Sequence, residues 1–122
     1  MNSARELPTE AWSEYLEALS RELLNAPVSI EVTEESGPTM VEAERLALQA
    51  LLYDRRDDVF EVAVARRGEH VPGLLRHLVD HPSRLAIDTE TMLAPMTISV
   101  DGRDGARTVI RVQREETPAP GR

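Results

Sequence analysis

Arg76-His77-Leu78-Val79-Asp80-His81-Pro82, running on into Ser83-Arg84-Leu85-Ala86-Ile87-Asp88, is the stretch that decides how the chain is read. Residues four apart share a helix face, so Leu74 falls with Leu78 and Leu75 with Val79. Pro72 is tolerable in a first helical turn, where the N–H it lacks would be unpaired anyway. Pro82 disfavours helical geometry at His81. The spacing therefore predicts a short central helix that stops near His81 and leads into a strand. On such a helix Arg76 and Asp80 form an ion pair, and His77 and His81 form a ligand pair.

Outward from this stretch, the N-terminal side reads as a helix followed by strands. Residues 1–8 are a lead-in, and Thr9 is the expected N-cap, with Glu10 in the first turn. Trp12, Tyr15, Leu16, Leu19 and Leu23 lie on one face of an amphipathic helix. Glu10, Glu14, Glu17 and Arg21 lie on the other, and Asn25-Ala26-Pro27 ends the helix. Val28 to Glu34 alternates apolar and polar residues, which predicts a half-buried strand. Residues 42–52 are almost all good helix formers, yet Leu46, Leu48, Ala50 and Leu52 alternate, so a strand is expected from about Leu46 to Tyr53. Asp54-Arg55-Arg56-Asp57-Asp58 is a turn by composition, and Val59 to Ala65 returns as its hairpin partner. Arg66-Arg67-Gly68-Glu69-His70 is a polar connection.

On the C-terminal side, Arg84 to Asp88 and Met92 to Val100 read as strands. Pro95 interrupts the second, which argues for an edge or a bulge there. Asp101 to Gly105 is a turn, and Arg107 to Val112 is a last strand. Residues 113–122, rich in proline and polar groups, are expected to be a disordered tail. The whole predicts one α+β domain over residues 9–112. Its sheet would be mostly antiparallel and barrel-like, with about five to six strands, an N-terminal amphipathic helix and one short central helix.

Composition narrows the function classes. The 122 residues carry 22 acids against 14 basic residues, a formal charge of −8. All the basic residues are arginine, and cysteine is absent. Disulfides, thiolate ligands, Schiff-base chemistry and a P-loop lysine are thereby excluded. The acidic balance disfavours nucleic acid and anionic membranes. No basic segment followed by an apolar run opens the sequence, so no signal peptide is expected, and no stretch approaches the length of a membrane helix. The expected location is cytoplasmic.

Trp12 in an acidic helix, Tyr53-Asp54 with Asp57-Asp58, and the Arg76-His77-x-x-x-His81-Pro82 run together resemble a family of small, uncharacterised bacterial proteins. That family is a domain of unknown function, and the likeness spans roughly Leu7 to Val112 on the scale of a single domain. It implies a compact domain and a strand over Leu46–Tyr53. It brings no activity, cofactor or catalytic residue with it.

Three clusters are candidate chemistry. His77 and His81, with Asp80 and His70 nearby, are a metal pair by spacing, but the glutamate of a His-Glu-x-x-His motif is missing and no third ligand is fixed. The simpler reading is that these histidines bond carbonyls at a helix end. Asp54, Asp57 and Asp58 lack the glycine and terminal glutamate of a calcium loop, so a solvated hairpin tip is the simpler reading there. Arg66, Arg67, Arg76 and Arg84 are candidate contacts for an anion or an acidic partner, weighed against pairing with neighbouring acids. No glycine-rich phosphate loop, serine elbow or dinucleotide fingerprint is present, and no cofactor is expected. The function expected is non-enzymatic, through a protein partner or self-association. The alternative is a small metal- or ligand-binding protein, possibly hydrolytic, using His77 and His81.

Overall fold

A computed structural model of the chain describes residues 5–66, 73–89 and 96–113. One helix, α1 (Trp12–Glu22), follows a single 3-10 turn over Thr9–Ala11. Eight strands make up the rest of the structure among the described residues: β1 (Arg5–Glu6), β2 (Pro27–Thr33), β3 (Thr39–Asp54), β4 (Val59–Arg66), β5 (Gly73–Asp80), β6 (Pro82–Asp88), β7 (Met96–Gly102) and β8 (Arg107–Val112). They form one sheet in the order β1-β6-β7-β8-β2-β3-β4-β5, and every pairing is antiparallel.

This corrects the α+β expectation in three respects. The sheet has eight strands rather than five or six, and α1 is the one α-helix among the described residues. The short central helix is strand β5, paired along its whole length with β4 from Val59↔Asp80 to Arg66↔Gly73. The barrel is not closed: among the described residues no pairing joins β5 to β6 or β1. Strand geometry wins at β5 because Val62 and Val64 of β4 face His77 and Leu75. That continues the inward row, a gain no isolated short helix matches, since helices of two or three turns are marginal alone. Two residues of the expected lead-in, Arg5 and Glu6, pair with Ile87 and Ala86, and Leu7 is buried beside them. Pro95 and the segment 114–122 lie outside the described residues.

The long strand β3 organises the sheet. Its first half pairs with β2, from Thr33↔Thr39 to Pro27↔Ala47. Its second half pairs with β4, from Ala47↔Ala65 to Asp54↔Val59. Register shifts fall between Val28 and Ile30 and between Leu48 and Ala50, and Arg45 sits at φ 53°. Such bulges bend a strand and let it serve two neighbours. The helix-forming composition of residues 42–52 is overridden because strand pairing is available on both sides.

Where β2 stops, α1 takes over the free edge of β3. The Leu48 N–H donates to Ala26 O at 2.9 Å, and Leu48 O accepts from the Asn25 N–H at 2.8 Å. Ser20 Oγ accepts from the Leu51 N–H at 2.6 Å and donates to Leu51 O at 2.7 Å. Ser13 Oγ donates to Tyr53 O at 3.3 Å. Serine hydroxyls thus occupy the positions a partner strand would fill. The apolar face of α1, with Trp12, Leu16 and Leu19 buried, packs on the core with Leu48, Leu51, Phe60, Val62, Ile98 and Ile110. The Trp12 Nε1–H donates to Leu7 O at 3.0 Å, and its ring meets Tyr53 edge-on with centroids 5.0 Å apart. Thr9 opens the 3-10 turn and makes no side-chain cap.

Candidate functional site

Strands β5 and β6 stand at opposite ends of the sheet's pairing order, apart from the two-residue β1, yet His81 alone links them. The sheet must therefore curl until its ends meet at that residue. His81 adopts φ 51°, in the left-handed region, and Asp58 in the β3–β4 turn adopts φ 57°. Histidine and aspartate tolerate this region better than most side chains. The two left-handed residues brace each other. The His81 N–H donates to Asp58 O at 2.8 Å, and His81 O accepts from the Arg103 N–H at 3.1 Å.

Side chains add a second layer to this corner. Tyr53 Oη donates to Asp58 Oδ1 at 2.5 Å, and His81 Nδ1 lies 3.0 Å from Asp58 Oδ2. The Tyr53 phenol is pushed up to about 12, first by its bond to Asp58, then by burial and by the Asp58 charge. The bonds from Tyr53 and then His81 hold Asp58 below the usual carboxylate range. Asp54, by contrast, serves its own turn, accepting from the Arg56 and Asp57 N–H groups at 3.0 and 3.3 Å. The acid cluster therefore divides into a local turn former and a tertiary latch.

Beside the corner lies a cleft of about 470 Å³. One wall is five consecutive residues, His77 to His81. Successive strand residues point to opposite faces, so a wall made by one face would use alternate residues. A consecutive run means that the cleft lies along the strand's edge. Among the described residues β5 pairs with β4 alone, so this is its unpaired side. Val32, Ala106 and Thr108 also line it, as do Arg103 and Asp104 of the β7–β8 turn. In that turn Gly105 takes φ 89°, and a Cβ there would come within 2.6 Å of Glu35.

The sequence-predicted residues fare differently. His77, Asp80 and His81 all line the cleft. His77 and His81 do not work as a pair, because helix geometry is lost. His77 faces the inner side, sharing a 3.1 Å hydrogen bond between Nε2 and Thr108 Oγ1, and burial pushes its pKa down. His81 turns to Asp58. Among the described residues no three His, Cys, Asp or Glu side chains stand close enough to hold a metal ion. His70 and Arg67 lie outside the described residues.

The remaining arginines are not gathered. Arg76 points outward from β5 and grips Glu61 through Nε and Nη2 at 2.7 and 2.9 Å. Arg84 on β6 lies 3.2 Å from Glu6 and 3.9 Å from Asp101. Arg66 is exposed at the end of β4. Sequence reasoning missed Tyr53, Arg103 and Thr108 as parts of the site. Tyr53 and Asp58 are five residues apart across one turn, a signal that was present; Arg103 and Thr108 are joined to it only by topology.

No helix of the described residues is long and apolar enough to cross a membrane. A protein of Aquifex aeolicus (strain VF5), described only as uncharacterised, is 30% identical over 111 residues, covering 91% of this chain and 93% of that protein. No solved structure matches the chain. The model of the family of unknown function DUF5335 matches residues 3–120. The Trp12 helix, the Tyr53–Asp58 hairpin and the His77–Pro82 corner all fall within that span, and the chain belongs to this family.

Proposed function

We propose that the chain is a non-enzymatic cytoplasmic contact domain that receives an extended segment of a protein partner along the open edge of β5. The observation that carries this reading is the consecutive run His77 to His81 along one wall of the cleft. An unpaired strand edge offers a ladder of N–H and C=O groups, and an adjoining pocket takes every second side chain of an added strand. The outer face beside that edge carries exposed leucines among its charges: Leu74 and Leu78 are 60% and 52% exposed, and Leu52, one strand beyond the Glu61 that faces Leu78, is 40% exposed. The cytoplasmic assignment draws on a chain with no cysteine to stabilise it in an oxidising compartment.

The test is a selection of random displayed peptides against the immobilised full chain, followed by amide hydrogen exchange with the selected peptides bound. The reading expects extended peptides that slow exchange in residues 74–81. Peptides that protect other elements and leave β5 unchanged would refute it.

A further inference from the structure

We infer that the segment filling the β5 edge is β5 of a second copy of this chain, paired antiparallel about a two-fold axis through Leu78. This rests on the strand-addition reading and names its occupant. The outward residues of β5 run Arg76, Leu78, Asp80: a cation, an apolar side chain and an anion at two-residue spacing. An antiparallel copy centred on Leu78 sets Leu78 against Leu78 of the partner subunit. It sets Arg76 against Asp80 of the partner subunit, twice over by symmetry.

Neighbouring registers lose this match. Centring on Arg76 or Asp80 opposes like charges, and centring on His77 sets Arg76 against a leucine. A one-residue slip turns outward side chains against inward ones. The free chain has the required groups to hand. Arg76 spends Nε and Nη2 on Glu61, which leaves Nη1 for a second carboxylate. Asp80 is exposed and has no ion-pair partner among the described residues. The result joins two open sheets edge to edge, and sets the exposed Leu78 of each against the other.

Sedimentation velocity of the full chain from low to high micromolar concentration tests this. Wild type is expected to dimerise. Arg76→Asp and Asp80→Arg each set like charges opposite one another, which weakens dimerisation by on the order of a hundredfold. An equimolar mixture of the two restores a dimer, because each charge again meets its opposite. Leu78→Lys, at an exposed position that cannot harm the core, is expected to be a folded monomer and guards against misfolding of the Arg76 variant. A wild-type monomer at every concentration, or a mixture that stays monomeric while both variants are folded, overturns the self-pairing. If the chain is monomeric but selected peptides still protect β5, the strand-addition reading stands and only its occupant falls. If neither occurs, both fall.

Discussion

Replacing Ser20 by alanine is the sharpest probe of how α1 completes the sheet. The Ser20 hydroxyl makes both hydrogen bonds of Leu51, a residue only 1% exposed. Its loss leaves one N–H and one C=O unpaired under the helix. Each such group costs about 1–3 kcal/mol, so the pair costs about 3 kcal/mol after allowance for partial access of water. Alanine is the better helix former, which returns about 0.5 kcal/mol. The net is about 2.5 kcal/mol, or a fall in Tm of roughly 10 °C for a domain of this size. Ser13→Ala is the internal control. It carries the same propensity gain but removes one longer bond, at 3.3 Å, to Tyr53 O, so it should cost less than about 1 kcal/mol. Urea unfolding with a shared m-value and scanning calorimetry measure both variants. If Ser20→Ala is no less stable than Ser13→Ala, the hydroxyl is not standing in for a strand, and the account of the β3 edge is wrong.

Two further predictions concern pH. Tyr53, raised to about 12 in the fold against about 10 when unfolded, keeps its proton while the unfolded chain gives it up. Its contribution is complete below about pH 10 and lost as pH climbs through about 12. Phenolate absorbance should show a late step, and Tyr53→Phe should remove it; a wild type without that step would contradict the latch. His77 is held below its ordinary value by burial, so the unfolded chain takes up a proton first as pH falls, and stability declines below about 6.5. His77→Gln should flatten the Tm profile over that acid limb, and an unchanged slope would show that His77 is not the group responsible.

Much of the fold was legible because period and turn chemistry agreed. The α1 stripe from Trp12 to Leu23, the alternation in β2, the Asp54–Asp58 turn between β3 and β4, and β8 each follow from local pattern. From sequence alone β5 reads as a helix, for a definite reason. A spacing of four satisfies both the helical period and the strand period, so Leu74 with Leu78 and Leu75 with Val79 cannot distinguish them. The deciding row is Leu75, His77, Val79, facing inward. The histidine in its middle hid the apolar alternation. β3 is legible as a strand against its helix propensity, but its start at Thr39 is not, because Glu42 and Glu44 break the pattern. The site was legible only in pieces. His77, Asp80 and His81 were singled out for a pairing that helix geometry would have given, and they line the cleft for another reason. The Tyr53–Asp58–His81 latch needs a hairpin and a corner that meet only once the sheet has curled.

The pairing order also sets a timetable. β2 is flanked by β3, which follows it at once, and by β8, whose Val112 lies opposite Val28. β1 waits in the same way for Ala86 and Ile87. Contacts this distant along the chain carry a large loop-closure cost and form slowly. A ribosome releasing this protein therefore exposes a β2–β3–β4 meander, covered on its apolar face by α1 alone, until β8 has emerged. Over that interval one edge of β2 stays unpaired, and it is closed only when β8 pairs with it.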